Sequence, residues 1–112
     1  MRHDALDLTL LLDYYGELLP EKQRTYCDLS YNQDYSLAEI AAYCGISRQG
    51  VHDALAHAEA SLREFERTLG CAARDARVLE ALSPLLRHAD PEVRMAAEQI
   101  QTVLRTGDGS LS

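Results

Sequence analysis

The run from Ser36 to Ala56, SLAEIAAYCGISRQGVHDALA, decides the fold. Ser36 followed by Glu39 is the capping-box pattern, so a short helix is expected from Leu37 to Tyr43. Gly45 stands where the chain must turn between two steeply crossed helices, and glycine takes a left-handed conformation without a Cβ penalty. Ala41 is small at the expected close approach, and Ile40, Cys44, Ile46, Val51 and Leu55 supply apolar contacts. Ser47 is placed to cap a second helix whose N-terminal face carries Arg48, Gln49, His52 and Asp53. This is the pattern of a helix-turn-helix with a groove-reading second helix. The same unit also serves elsewhere as a packing or protein-binding element.

Working outward, every segment reads as helix. From about Asp4 to Leu18 one apolar stripe runs through Leu8, Leu11, Leu12, Tyr15, Leu18 and Leu19, with Leu6, Leu10 and Tyr14 forming a second beside it. Such a helix needs cover on two sides. Pro20 opens the next helix at its first position, over Glu21 to Tyr31 with Tyr26 and Leu29 inward, and Asn32 to Tyr35 is the connecting loop. The helix after Ser47 continues to Leu69, because Val51, Leu55, Ala58, Leu62, Phe65 and Leu69 repeat as a heptad-like seam, and Gly70 ends it. Beyond Gly70, a helix with Ala72, Ala76, Leu79 and Leu82 is expected to break at Ser83-Pro84. Asp90-Pro91-Glu92 starts a last one, and residues 107–112 read as a frayed tail. No sustained period-2 run of β-branched residues marks a strand. The expected organisation is a helix-turn-helix domain over 1–70 (motif 36–56), a helical extension over 71–106 and the tail.

Charge pulls against the obvious function. The 112-residue chain has 11 Lys and Arg against 18 Asp and Glu, a formal charge of -7. Residues 1–70 hold 6 of those basic and 12 of those acidic side chains, so the helix-turn-helix half is the more anionic. Duplex binders gain most of their affinity from cations that displace phosphate counterions, so nucleic-acid binding here should be weak and salt-sensitive. Cys27, Cys44 and Cys71 are odd in number and lack C-x-x-C spacing, which indicates neither a disulfide framework nor a zinc site. The N-terminal Leu run is broken by Asp7 and Asp13 and has no small-residue cleavage site, so neither a signal peptide nor a membrane span is expected. A reducing cytoplasm fits these features.

Five colinear pieces in roughly the first 70 residues carry a family resemblance: Asp13-Tyr14-Tyr15; Leu18-Leu19 with Glu21-Lys22-Gln23-Arg24; Asp34-Tyr35-Ser36-Leu37 with Glu39-Ile40-Ala41; Ile46-Ser47-Arg48-Gln49-Gly50-Val51; and Glu59 with Leu62. Together they resemble the YlxM family of small bacterial helix-turn-helix proteins, encoded beside the signal recognition particle genes. The resemblance implies an all-α helix-turn-helix bundle related to sigma factor region four, with a long fourth helix and a helical C-terminal extension. It also implies a dimer and a regulatory or accessory role in the signal recognition particle pathway. One departure stands out: where the family pattern has an aromatic residue, an Asp and then a basic pair, this chain reads His52-Asp53-Ala54-Leu55-Ala56-His57. Two cationic contacts are missing.

The expected nucleic-acid contacts are Ser47, Arg48, Gln49 and His52 at the tip of the second helix, where free backbone N–H groups and the helix dipole favour a phosphate, with Lys22, Gln23 and Arg24 holding a backbone from the side. These charges also read as solvated surface groups paired with Glu21 or Asp28. The doubly striped first helix and the long seam predict a homodimer through Leu6, Leu10, Tyr14, Leu62, Phe65 and Leu69. No cofactor, metal site or catalytic residue is expected: His3, His52, His57 and His88 are scattered, and Asp53 with His57 reads as a helix-surface pair. No Gly-rich phosphate loop or G-x-S-x-G occurs, so the chain is not read as an enzyme. Two functions stay open: a nucleic-acid-binding accessory factor, touching the signal recognition particle RNA or its ribonucleoprotein, or a dimeric transcription-regulatory or protein-interaction module whose acidic surface meets a basic partner.

Overall fold

A computed structural model describes the backbone of residues 3–106 and the side chains of residues 8–105. Helices α1 (His3–Tyr15), α2 (Glu21–Cys27), α3 (Leu37–Cys44), α4 (Arg48–Leu69), α5 (Cys71–Leu86) and α6 (Pro91–Thr106) follow one another, and no strand occurs among the described residues. The all-α expectation holds. The chain divides into two compact units, one up to Ala72 and one from Ala73 onward.

The first unit is held by two apolar clusters that meet at Leu55. One gathers Leu11, Leu12, Tyr15 and Leu19 against Cys27, Ala58 and Leu62, with Ala72 closing it. The other joins Tyr26 and Leu29 to Ile40, Ala41 and Val51, which is the interior of the helix-turn-helix. Ile40, Val51 and Leu62 are fully buried, each contributing about 1.5–3 kcal/mol relative to exposure. Part of the expected seam on α4 is therefore spent inside the protomer: Ala58 and Leu62 pack with residues of α1 and α2, and Val51 with residues of α2 and α3, so Leu62 is withdrawn from any intermolecular contact.

Local chemistry sets most helix ends. Ser36 Oγ accepts the Glu39 N–H at 3.1 Å, and the Glu39 carboxylate accepts the Ser36 N–H at 2.8 Å. Gly45 (φ 74°) and Gly70 (φ 64°) close α3 and α4 in the left-handed conformation. Several boundaries differ from expectation. The first helix stops at Tyr15 and tightens into a 3-10 turn, Gly16–Leu18, and Pro20 sits just before α2 with extended ψ, its carbonyl accepting the Arg24 N–H at 3.0 Å. The helix expected over Glu21 to Tyr31 changes at Asp28 into a wide π turn, Asp28–Asn32. The Asp28 carboxylate holds that turn by accepting from Asn32 Nδ2 (2.8 Å) and Gln33 Nε2 (2.9 Å), donors that keep it below the usual carboxylate range.

In the second unit, α5 runs through Ser83-Pro84 without the expected break. Pro84 removes one N–H donor and its ring crowds the preceding turn, but only Leu85 and Leu86 follow it in the helix. Ser83 does not start a fresh turn, because its Oγ accepts from Arg87 Nη1 at 2.8 Å. Asp90 caps α6 through its carboxylate, which accepts the Glu92 N–H at 2.9 Å. Leu82 and Ala97 are buried, whereas Met95, Ile100 and Val103 are exposed. The expected tail, 107–112, lies outside the described residues.

Candidate nucleic-acid interface

The turn between α3 and α4 is built by backbone. Gly45 and Ile46 both donate to the Ala41 carbonyl, at 2.9 and 3.1 Å, which ends α3 and redirects the chain. Ser47, with extended ψ, then caps α4: its Oγ accepts the Gly50 N–H at 2.9 Å and its carbonyl accepts the Val51 N–H at 3.1 Å. With Val51 pinned in the core, the opposite side of α4 faces out. Ser47, Arg48, Gln49, His52 and Asp53 are all exposed. The first turn of α4 carries no acidic side chain, and Arg48 makes no ion pair among the described residues. A helix N-terminus with free N–H groups, positive dipole end and an unengaged guanidinium can take a phosphate.

One turn further the chemistry changes sign. Asp53 Oδ1 accepts from Gln49 Nε2 at 2.8 Å and lies 3.5 Å from His52 Nδ1. This replaces the expected Asp53–His57 pairing, because Gln49 reaches the carboxylate from the preceding turn and His52 from the adjacent position. His57 is exposed.

The second expected group of contacts does not hold together. Lys22 is exposed and makes no ion pair among the described residues. Gln23 turns its side-chain oxygen inward, where no donor reaches it, so that acceptor is withdrawn from a ligand. Arg24 stands in an open groove of about 580 Å³ whose walls include Asp13, Glu17 and Asp28. A phosphate there would face those carboxylates, which makes Arg24 a poor backbone clamp. The expected pairing of these cations with Asp28 is also absent, since Asp28 is engaged by Asn32 and Gln33.

Of the residues expected at a dimer interface, Leu10 and Leu69 are exposed, at 42% and 56%. Tyr14 and Phe65 are half-buried against the core, and Leu6's side chain lies outside the described residues. Among the described residues no group of three or more His, Cys, Asp or Glu could hold a metal ion, and no helix is long and apolar enough to cross a membrane. Sequence reasoning missed the groove, whose walls come from α1, α2, the π turn and α3.

The capped α3, left-handed Gly45 and outward α4 tip define a helix-turn-helix protein. Residues 3–103 match the family described as "Putative helix-turn-helix protein, YlxM / p13 like", and the chain belongs to that UPF0122 family. It is 42% identical over 108 residues to the UPF0122 protein of Thermoanaerobacter sp. (strain X514), covering 89% of this chain and 92% of that one. The UPF0122 protein of Symbiobacterium thermophilum is 40% identical over 102 residues, covering 91% and 95%, and that of Halalkalibacterium halodurans 36% over 108 residues, covering 96% and 97%.

Proposed function

We propose that the chain is a non-enzymatic, cytoplasmic nucleic-acid-binding regulatory or accessory protein that contacts its ligand through the first turn of α4. The observation that carries this reading is Arg48, exposed and unpaired among the described residues, beside Gln49 on a capped helix tip free of acidic residues. That local polarity offers a phosphate a site although the chain carries -7 overall. Ser47 is committed to capping through its Oγ, so its part is to hold the tip. His52 contributes from the next turn, and Lys22 is the remaining candidate for a lateral phosphate contact. The family resemblance supports RNA of the signal recognition particle, or its ribonucleoprotein, as the ligand.

Binding of short RNA hairpins and DNA duplexes at about 20–50 mM salt tests this, in the range where phosphate contacts are strongest. Arg48→Ala with Gln49→Ala is expected to weaken binding about tenfold or more. Retention of neither nucleic acid by the unmutated chain at low salt overturns the reading. The acidity of the first unit favours a second reading, a homodimeric interaction module that recognises a basic protein. In that case the double substitution leaves partner binding intact.

A further inference from the structure

The groove beside Arg24, of about 580 Å³, has no part in the α4 tip. Leu12 and Leu29, both buried, lie in its lining, and Asp13 and Glu17 stand one turn apart along its edge. Neither carboxylate has an ion-pair partner among the described residues. At the mouth, Tyr43 is 71% exposed, its ring edge-on to Tyr35 with centroids 6.1 Å apart. An exposed aromatic ring braced by a second ring, lining the same groove as these carboxylates, suits a cationic side chain: the acids take its charge and the ring face its cation–π contact. Nucleic acid is disfavoured by the same charges.

The geometry points to this groove as a docking site for an extended, arginine- or lysine-bearing segment of a partner protein. Arg24 is what singles out a polypeptide. Its guanidinium makes no ion pair among the described residues, so it can donate to the main-chain carbonyls of a polypeptide, whereas a bare polyamine offers it no acceptor. Asp28 adds charge, its oxygens already accepting from Asn32 and Gln33. The groove also lies outside the α4 tip, so this inference survives or fails apart from nucleic-acid binding.

The test uses the full chain and a fluorescent decapeptide of alternating arginine and glycine, by anisotropy at low salt. Asp13→Asn with Glu17→Gln is expected to weaken binding about tenfold, and Tyr43→Ala about threefold. The control pair Glu64→Gln with Glu80→Gln removes the same charge elsewhere, at exposed positions outside both sites, and should change affinity less than about twofold. Spermine should compete less well than unlabelled peptide. Equal losses from the two charge pairs, equal competition by spermine, or no binding would overturn the proposal. So would a Tyr43→Ala chain that loses nucleic-acid affinity or self-association, because the groove would then serve those occupants.

Discussion

The Tyr15 hydroxyl donates to Glu66 Oε1 at 2.6 Å, joining the end of α1 to the last turns of α4 across 51 positions of sequence. The same hydroxyl accepts the Cys71 N–H at 3.1 Å, and Glu66 Oε1 also accepts the Ala72 N–H at 3.1 Å. Tyr15 and Glu66 thus satisfy backbone donors at the start of α5 that have no partner within the helix. Tyr15→Phe should destabilise the first unit by about 1–2 kcal/mol, because it takes one donor from a charged acceptor and leaves the Cys71 N–H without the hydroxyl it donates to. Glu66→Ala should cost at least as much, read as the midpoint of urea unfolding.

Alkaline pH should unfold the chain through its buried acids. Burial pushes the Cys27 thiol up to about 11 and Tyr31 up to about 12, while Tyr15 is raised further by burial and by the Glu66 carboxylate. A folded pKa above the unfolded one means that the native state binds the proton more tightly. The associated stability is complete below the unfolded value, near 9.0 for Cys27, and is lost as pH rises through the folded one. Urea midpoints should fall from about pH 9 upward, and Cys27→Ala should remove the first part of that fall. At neutral pH Cys27 should react with a thiol reagent last of the cysteines, since it alone is fully buried.

The two left-handed glycines give a contrast free of packing. A Cβ built on Gly45 or Gly70 would meet nothing within 4 Å, so the cost of Gly45→Ala or Gly70→Ala is conformational, about 1 kcal/mol each. Asparagine at either position should cost less, because it tolerates this region better. Urea denaturation of the four variants checks the order, and a neutral Gly45→Ala would contradict the left-handed turn.

These glycines were legible in sequence for the reason that the Ser36–Glu39 box and the Ser47 cap were: each is a local rule acting within a few residues. What escaped was long-range. Nothing around Tyr15 marks it as the partner of Glu66, because the pairing depends on how α1 packs against α4. The heptad-like spacing through Leu62 correctly marked an apolar face but not its owner; periodicity shows that a face is buried, and only packing shows by which chain. Similarly, Pro84 signals a break by composition, yet α5 continues through it for the two residues that remain. Arg24 looked like a phosphate ligand because its neighbours Asp13 and Glu17 are distant in sequence.

Within the proposed interface, Arg48 and Arg24 should behave differently although both are arginines of the same unit. Arg48→Ala should lower nucleic-acid affinity and reduce the slope of log affinity against log salt by about one, as removal of one phosphate contact does. Arg24→Ala should leave both nearly unchanged, because Asp13, Glu17 and Asp28 surround its site. Filter binding across a salt series separates the two outcomes, and equal slope losses would place Arg24 on the ligand.

Self-association should depend on exposed apolar residues rather than on the whole α4 seam. Leu10 and Leu69 are exposed, with half-buried Tyr14 and Phe65 able to extend a patch. Their contact with a second copy would remove apolar area that one protomer leaves in water. Leu10→Ser with Leu69→Ser should shift a dimer toward the 12.5 kDa monomer while changing monomer stability by less than about 1 kcal/mol. Leu62→Ala should instead cost about 2–5 kcal/mol of folding stability through a cavity in the protomer core. Light scattering over a dilution series, paired with urea unfolding, distinguishes the cases. A mass of 12.5 kDa for the unmutated chain at micromolar concentration rejects the stable dimer. A dimer unaffected by the double serine variant moves the interface elsewhere, with Leu62 still confined to the core.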